Sequence, residues 1–175
     1  MSKSKKKIKS RLSQPFVDSY AVDNIIKSLS TLAMRDVEFI SKVDAVLAAF
    51  MVASCLIDQL GGIMNGGKST GATYRKFISK YLPKYDKHNL YEDLRCALVH
   101  NYSIGRNYVL TRDDPGKTIK TPDGKTIIYI IEFVNDLKIG FDAFIKDLHT
   151  DQTTREKATS WSRDYKIISH SVIQF

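Results

Sequence analysis

The chain has 175 residues, of which 43% are hydrophobic and 26% are charged. This length fits one domain, and so large an apolar share can fill a core, which excludes a largely disordered chain. The longest uncharged apolar run, residues 45–57, is too short to cross a bilayer, and no signal-peptide pattern precedes it. We therefore expect a soluble, cytoplasmic protein.

The net charge of +8 is unevenly distributed along the chain. Residues 1–11 contain six basic residues and no acid, so the remaining 164 residues carry only +2, from 21 basic and 19 acidic side chains. A basic arm strengthens binding to any polyanion without selecting bases. We predict a flexible basic arm over residues 1–14 and a single domain over residues 15–175. Such an arm permits contact with RNA but does not demonstrate it.

Two helices are predicted in the first third of the domain. Apolar residues recur at helical spacing after Pro15, at Val22, Ile25, Ile26, Leu29 and Leu32. A second helix is predicted over residues 35–60, because Ala, Leu and Met dominate there. Its section 45–57 is apolar on all sides, which is typical of the buried spine of a bundle. Gly61 and Gly62 are expected to end it.

Two further helices follow the glycines. The first covers residues 73–82 and places Tyr74, Phe77, Ile78 and Tyr81 on one side, with Arg75, Lys76 and Lys80 facing outward. Pro83 closes it. The second, over residues 87–102, is named the signature helix here. Its inner stripe is Leu90, Leu94, Ala97, Leu98 and Asn101.

The pattern then changes from helical to alternating over residues 107–131. The β-rich segments 108–111, 118–121 and 125–130 are separated by turn-forming residues at 114–117 and 122–124. A small inserted antiparallel meander is predicted. After it, an amphipathic helix over residues 133–148, capped near Asn135, should pack on the spine, and one more helix is expected around Trp161. The predicted fold is mainly α, a bundle of about five helices.

No cofactor or metal site is predicted from the cysteines. Cys55 and Cys96 lie inside helical segments without CxxC spacing or nearby histidines at metal-ligand intervals. We expect two buried, reduced thiols. His88, His149 and His170 have no matched partners and are expected to be ordinary surface residues.

Arg95 and His100 in the signature helix form the one spacing with a chemical rationale. Five residues apart, they lie roughly 140° apart around an α-helix and about 7.5 Å apart along its axis. Backbone position alone therefore does not let them share a substrate within one helix, although a long arginine can reach toward the histidine. The ordinary alternative is an arginine and a histidine that bridge neighbouring helices or cap carbonyl groups.

The segment from Arg95 to Tyr102, RCALVHNY, resembles the signature of the HEPN superfamily (higher eukaryotes and prokaryotes nucleotide-binding). The resemblance extends over about residues 43–148 and includes IDQLGG from Ile57, KFISKYLPKY from Lys76 and the approach LYEDLR. Members are helical proteins and are often metal-independent ribonucleases. In many active members a polar residue follows the arginine, whereas this chain has Cys96, so the resemblance also fits a relative that binds RNA or a nucleotide without cleaving it.

The resemblance implies cleavage of RNA with the ribose 2′-hydroxyl as nucleophile and without a metal. His100 would transfer the proton and Arg95 would stabilise the charge that develops on phosphorus. HEPN ribonucleases generally act as dimers, so the residues of both subunits would converge on one phosphate. Asn101 and Tyr102 would orient the substrate or hold the helix end, and Glu92 would hold Arg95. RNA, a nucleotide or a protein antitoxin are the implied partners besides a second copy.

Two other functions remain open at this stage. Residues 62–69, GIMNGGKS, match the phosphate-binding loop of NTPases, in which Lys68 would bind phosphate and Ser69 would ligate magnesium. That loop requires a strand before it, whereas the preceding residues here are helical in pattern. The third possibility is a helical interaction protein with no chemistry of its own.

Overall fold

A computed structural model describes residues 14–114 and 120–165, with side chains from residue 20 onward. The predicted basic arm and His170 lie outside the described residues, apart from Gln14. Six helical rods and a two-stranded sheet make up this part of the chain, so the mainly α class is confirmed. Their order is α1 (Gln14–Ser28), a π-helical turn (Leu29–Met34), α2 (Arg35–Ser41), α3 (Val46–Asn65), α4 (Gly71–Tyr81), a 3₁₀ turn (Pro83–Tyr85), a second π-helical turn (Tyr91–Cys96), α5 (Ala97–Asn101), β1 (Tyr108–Thr111), β2 (Thr126–Tyr129), α6 (Ile130–Thr150) and α7 (Gln152–Asp164).

The first long rod runs without interruption from residue 14 to residue 41, because the π-helical turn joins α1 to α2. The prediction of one helix over residues 35–60 is therefore wrong. The chain leaves the first rod at Lys42, whose carbonyl oxygen accepts a hydrogen bond from Arg112. It re-enters a helix at Val46 after Ala45 adopts a non-helical conformation. The break falls in residues 42–44, all three of which are exposed and do not pack on the core.

α3 is the buried spine that its composition predicts. Phe50, Ile57 and Leu60 are fully buried along it, and α4, α6 and α7 pack around it. By length and composition it could span a membrane, but 56% of its apolar window is buried inside the bundle. This burial is typical of the core helix of a soluble protein.

Gly61 and Gly62 do not end α3, contrary to the prediction. The helix continues to Asn65 and ends at Gly66, which has a φ of 79°. Gly61 instead allows α4 to approach closely, since a Cβ there would lie 2.8 Å from the carbonyl oxygen of Thr73. Gly66 supplies the left-handed residue of the cap, and its amide and that of Gly67 both bond to the Gly62 carbonyl oxygen.

α4 matches its prediction closely. Thr70 and Thr73 form a reciprocal capping box at its start, and the predicted inner residues Tyr74, Phe77, Ile78 and Tyr81 are buried. α6 is longer than predicted. It begins at Ile130, directly after β2 and without a side-chain cap, so Asn135 does not cap it. α7 contains the buried Trp161, as expected, and is capped by Asp151.

The strands do not form an antiparallel meander. β1 and β2 pair in parallel, with Tyr108 opposite Thr126 and Thr111 opposite Tyr129. The turn at residues 121–125 reverses the chain just before β2, helped by Gly124 at a φ of 82°. Lys120 bridges Thr126 in antiparallel fashion, while Thr126 also pairs with Tyr108 of β1. The first and third predicted strands are then neighbours and point the same way.

Candidate functional site

Three leucines one helical turn apart fix the signature helix on the core. Leu90, Leu94 and Leu98 have 1% or less of their surface exposed, and the helix they anchor packs against α3. The helix is shorter than predicted, from Leu90 to Asn101. Asn101 belongs to its exposed side and not to the inner stripe. This anchoring leaves the outward residues between the leucines free for other contacts.

The first half of the signature helix is a π-helical turn from Tyr91 to Cys96. In such a turn the backbone bonds join residues five apart, so Tyr91 and Cys96 face the same way. π-helical turns are rare and are found frequently at functional sites. Here the turn contains Arg95, the first residue of the predicted catalytic pair.

The structure brings Arg95 and His100 together within one chain. Arg95 Nη1 lies 3.5 Å from His100 Nε2, so the arginine reaches the histidine within one helix. The long arginine side chain covers the separation that the backbone imposes. An imidazole this close to a fixed guanidinium can exchange a proton with a group that the guanidinium also contacts. His100 is exposed, so a substrate can reach it.

Asp58 of α3 holds Arg95 in this position. Its Oδ2 accepts hydrogen bonds from Arg95 Nη2 at 2.7 Å and from Arg95 Nε at 3.1 Å. Burial alone would lower the pKa of Arg95, but the hydrogen bonds and charge of Asp58 outweigh it, so this pKa is raised. The guanidinium is therefore a permanent cation in a fixed place.

Sequence reasoning missed Asp58 and assigned its role to Glu92. Glu92 instead pairs with Arg75, at 3.8 Å. A signal for Asp58 was present, because it is the only charged residue among the twenty of α3. A carboxylate in so apolar a helix is unfavourable unless it meets a cation or hydrogen-bond donors.

Tyr91 forms one wall of the site. The guanidinium carbon of Arg95 lies 5.6 Å from the centre of the Tyr91 ring, and that of Arg75 lies at the same distance. Both contacts are cation–π interactions that orient the guanidinium groups. Burial, followed by the nearby Cys96, raises the pKa of the Tyr91 hydroxyl. The phenol is consequently neutral at physiological pH.

The cysteines differ from their prediction. Both are free thiols, but Cys55 is exposed and Cys96 is half-buried. Partial burial raises the pKa of Cys55, an effect that the charge of Arg95 opposes. Cys55 lies one turn before Asp58 on α3.

Asn101 and Tyr102 lie at the exposed end of the signature helix. Tyr102 has a φ of 48°, and its amide and that of Ser103 bond back to the carbonyl oxygens of Leu98 and Ala97. The Tyr102 ring is 64% exposed. The backbone of Tyr102 thus ends the helix, while its ring points outward near His100.

Residues 62–69 do not have the geometry of a phosphate-binding loop. Residues 62–65 are still part of α3, so their amides are used in helical hydrogen bonds. Ser69 donates to the Asp58 carbonyl oxygen at 2.6 Å, and Lys68 is exposed. The segment is a turn that joins α3 to α4. Within residues 14–114 and 120–165, no group of three His, Cys, Asp or Glu side chains is placed to hold a metal ion.

No protein-family model, curated protein or solved structure matches this chain.

Proposed function

We propose that this protein is a cytoplasmic, metal-independent endoribonuclease of the HEPN type, with Arg95 and His100 as its catalytic residues. The observation that carries the proposal is the 3.5 Å approach of Arg95 Nη1 to His100 Nε2, with Arg95 fixed from behind by Asp58. A fixed cation beside an accessible imidazole is what phosphodiester cleavage without a metal requires.

The proposed reaction uses the substrate's own 2′-hydroxyl as the nucleophile. His100 accepts the 2′-hydroxyl proton as the 2′-oxygen bonds to phosphorus, and the bond from phosphorus to the 5′-oxygen breaks. Arg95 donates hydrogen bonds to the phosphate oxygens as negative charge builds on them. The departing 5′-oxygen takes a proton, and the products are a 2′,3′-cyclic phosphate and a 5′-hydroxyl.

A homodimer would supply the second proton-transfer group. Next to His100, three apolar side chains remain exposed: Val99, Tyr102 and Ile104, with 38%, 64% and 36% of their surfaces accessible. A second copy that packed on these residues across a two-fold axis would bring its own His100 to the same phosphate. One histidine would then act as the base and the other as the acid.

The test is cleavage of end-labelled RNA in the presence of EDTA. Wild-type protein is expected to cleave and to leave 2′,3′-cyclic phosphate ends. Arg95→Ala and His100→Ala should each reduce the rate by roughly a hundredfold or more, because each removes a group that acts in the transition state.

The matched controls are Arg35→Ala and His149→Ala. Both residues are exposed and lie on other helices, α2 and α6. Their variants should cleave at the wild-type rate. Cleavage that EDTA abolishes, or that survives in both site variants, would contradict the proposal. A folded dimer without any cleavage would favour an interaction protein.

A further inference from the structure

A small cleft opens between α4 and the start of the signature helix. Its volume is about 50 Å³, and Ile78 and Leu90 form an apolar floor. Arg75, Asp86 and His88 stand around it, and Tyr91 closes the side toward Arg95. A cleft of this volume has room for roughly three or four water molecules. The edge of one nucleobase needs about the same space.

The cleft is continuous with the Arg95 site through one aromatic ring. Arg75 and Arg95 each place a guanidinium carbon 5.6 Å from the centre of the Tyr91 ring. The two cations are thus no more than twice that distance apart. Neighbouring phosphates of one strand are joined through a single sugar and lie within this limit, so two adjacent phosphates can contact the two arginines.

Arg75 is available to a ligand. Within the described residues it forms one ion pair, with Glu92, which is 3.8 Å long, and both side chains are 55% exposed. Such a pair contributes little to stability and is readily exchanged for a phosphate. Arg95, in contrast, has a side chain that is only 22% exposed and is held by Asp58.

His88 gives the cleft a neutral polar edge. Burial, together with the charge of Lys120, lowers the pKa of His88, so the imidazole is uncharged at physiological pH and offers one donor and one acceptor. Asp86 adds acceptors. An apolar floor with a few donors and acceptors at the rim is the usual surround of an unpaired base.

We propose that this cleft is a subsite for single-stranded RNA, in which Arg75 binds a phosphate next to the scissile one and the cleft takes the edge of the adjoining base beside Tyr91. The subsite rests on the proposed function, because it gives the strand a second point of attachment next to Arg95.

The test measures binding of fluorescent 2′-O-methyl oligonucleotides in EDTA, since methylation of the 2′-oxygen prevents cleavage. The probes are hexamers of each base and the corresponding dimers, which carry a single phosphodiester. Arg75→Ala is compared with Lys76→Ala. Both substitutions remove one exposed positive charge from neighbouring positions of α4, but Lys76 does not line the cleft.

For at least one hexamer, Arg75→Ala should raise Kd by roughly tenfold and reduce the slope of log Kd against log salt by about 1. Lys76→Ala should change Kd by less than about twofold. Binding of the dimers should be unaffected by Arg75→Ala. Equal effects of the two variants, an equal loss with dimers, or no hexamer binding by the wild type would overturn the subsite.

The two proposals fail in different ways. Arg75-dependent hexamer binding by a protein that does not cleave RNA would remove the proposed reaction and leave the subsite. Cleavage that depends on Arg95 and His100, with no difference between Arg75→Ala and Lys76→Ala, would remove the subsite and leave the reaction.

Discussion

Asp58 contributes one oxygen to Arg95 and leaves the other without a hydrogen-bond partner. Oδ2 accepts two hydrogen bonds from the guanidinium, while the buried Oδ1 is unpartnered. The side chains of the pair are only 13% and 22% exposed, so water screens this attraction less than it screens a surface ion pair. Asp58 is thus a positioning residue that acts through Arg95.

Asp58→Ala should lower kcat by roughly tenfold, with a smaller effect on KM, because the loosened guanidinium stabilises the transition state less. It should also lower the free energy of unfolding by about 2 kcal/mol. Glu92→Ala is the matched control, since it removes a carboxylate one turn before Arg95 that does not contact it. Equal losses of kcat in the two variants would mean that Glu92 supports Arg95 as much as Asp58 does.

At the scale of elements, α3 and α4 are in contact at Gly61, where there is no room for a side chain. A Cβ on Gly61 would lie 2.8 Å from the Thr73 carbonyl oxygen, and 2.9 Å from its carbon. Backbone atoms in a capped helix cannot move aside as a flexible side chain does. This close approach places Asp58 on α3 near the helices that carry Tyr74 and Arg95.

Gly61→Ala should therefore destabilise the fold by about 1–3 kcal/mol, although alanine is the better helix former. Gly67→Ala is the control, because a Cβ there meets nothing within 4 Å, and its stability should change by less than about 1 kcal/mol. Urea denaturation of both variants measures the difference. A stabilised Gly61→Ala protein would show that the two helices can separate without cost.

Asp147 of α6 joins this helix to α4 through two hydrogen bonds. Hydrogen bonds from Lys80 Nζ and Tyr81 Oη, both at 2.7 Å, lower the pKa of Asp147. A carboxylate with a lowered folded pKa stabilises the fold above its unfolded pKa, and that contribution is lost as the pH falls through the folded value.

The unfolding free energy should thus decline as the pH falls below about 4, the ordinary range for aspartate. Asp147→Asn should be less stable than wild type at neutral pH and should show a flatter decline in acid. Thermal melts between neutral pH and acid measure both effects. Parallel curves for the two proteins would mean that Asp147 does not contribute to the acid sensitivity.

At the scale of the whole molecule, the site faces outward beside exposed apolar side chains. Val99 and Ile104 flank the region of His100 and are more than a third exposed. In the proposed dimer these residues would be covered, and one composite site would contain an arginine and a histidine from each subunit.

Mixing Arg95→Ala and His100→Ala subunits tests this arrangement. A composite site in the mixed dimer retains one arginine and one histidine, whereas each variant alone lacks both arginines or both histidines. Mixing should therefore restore cleavage above that of either variant alone, to a rate below that of the wild type because the second histidine is missing. Two independent sites would each lack one residue and would remain inactive. Single-turnover assays on refolded mixtures, with subunit exchange checked by differently tagged copies, distinguish the two cases.

The sequence by itself determined the helices that carry one clear apolar stripe. The spacing of Leu90, Leu94 and Leu98 and that of Phe77 and Tyr81 predicted which faces are buried, because such a stripe can be removed from water in one way only. It also predicted the buried section of α3 and drew attention to the pair Arg95 and His100. The end of α3 was less predictable, because several glycines follow one another there. Gly61 allows close packing against α4, whereas Gly66 caps the helix.

Only the tertiary structure decided which residues meet across the bundle. The hydrogen bonds between Asp58 and Arg95 join residues 37 positions apart in the sequence. The parallel pairing of β1 with β2, with Lys120 on Thr126, is also a tertiary contact. The approach of Arg95 to His100 likewise follows from a long side chain that a third residue holds, not from backbone spacing. Local periodicity specifies faces, whereas contacts between faces are set by the packing of the whole core.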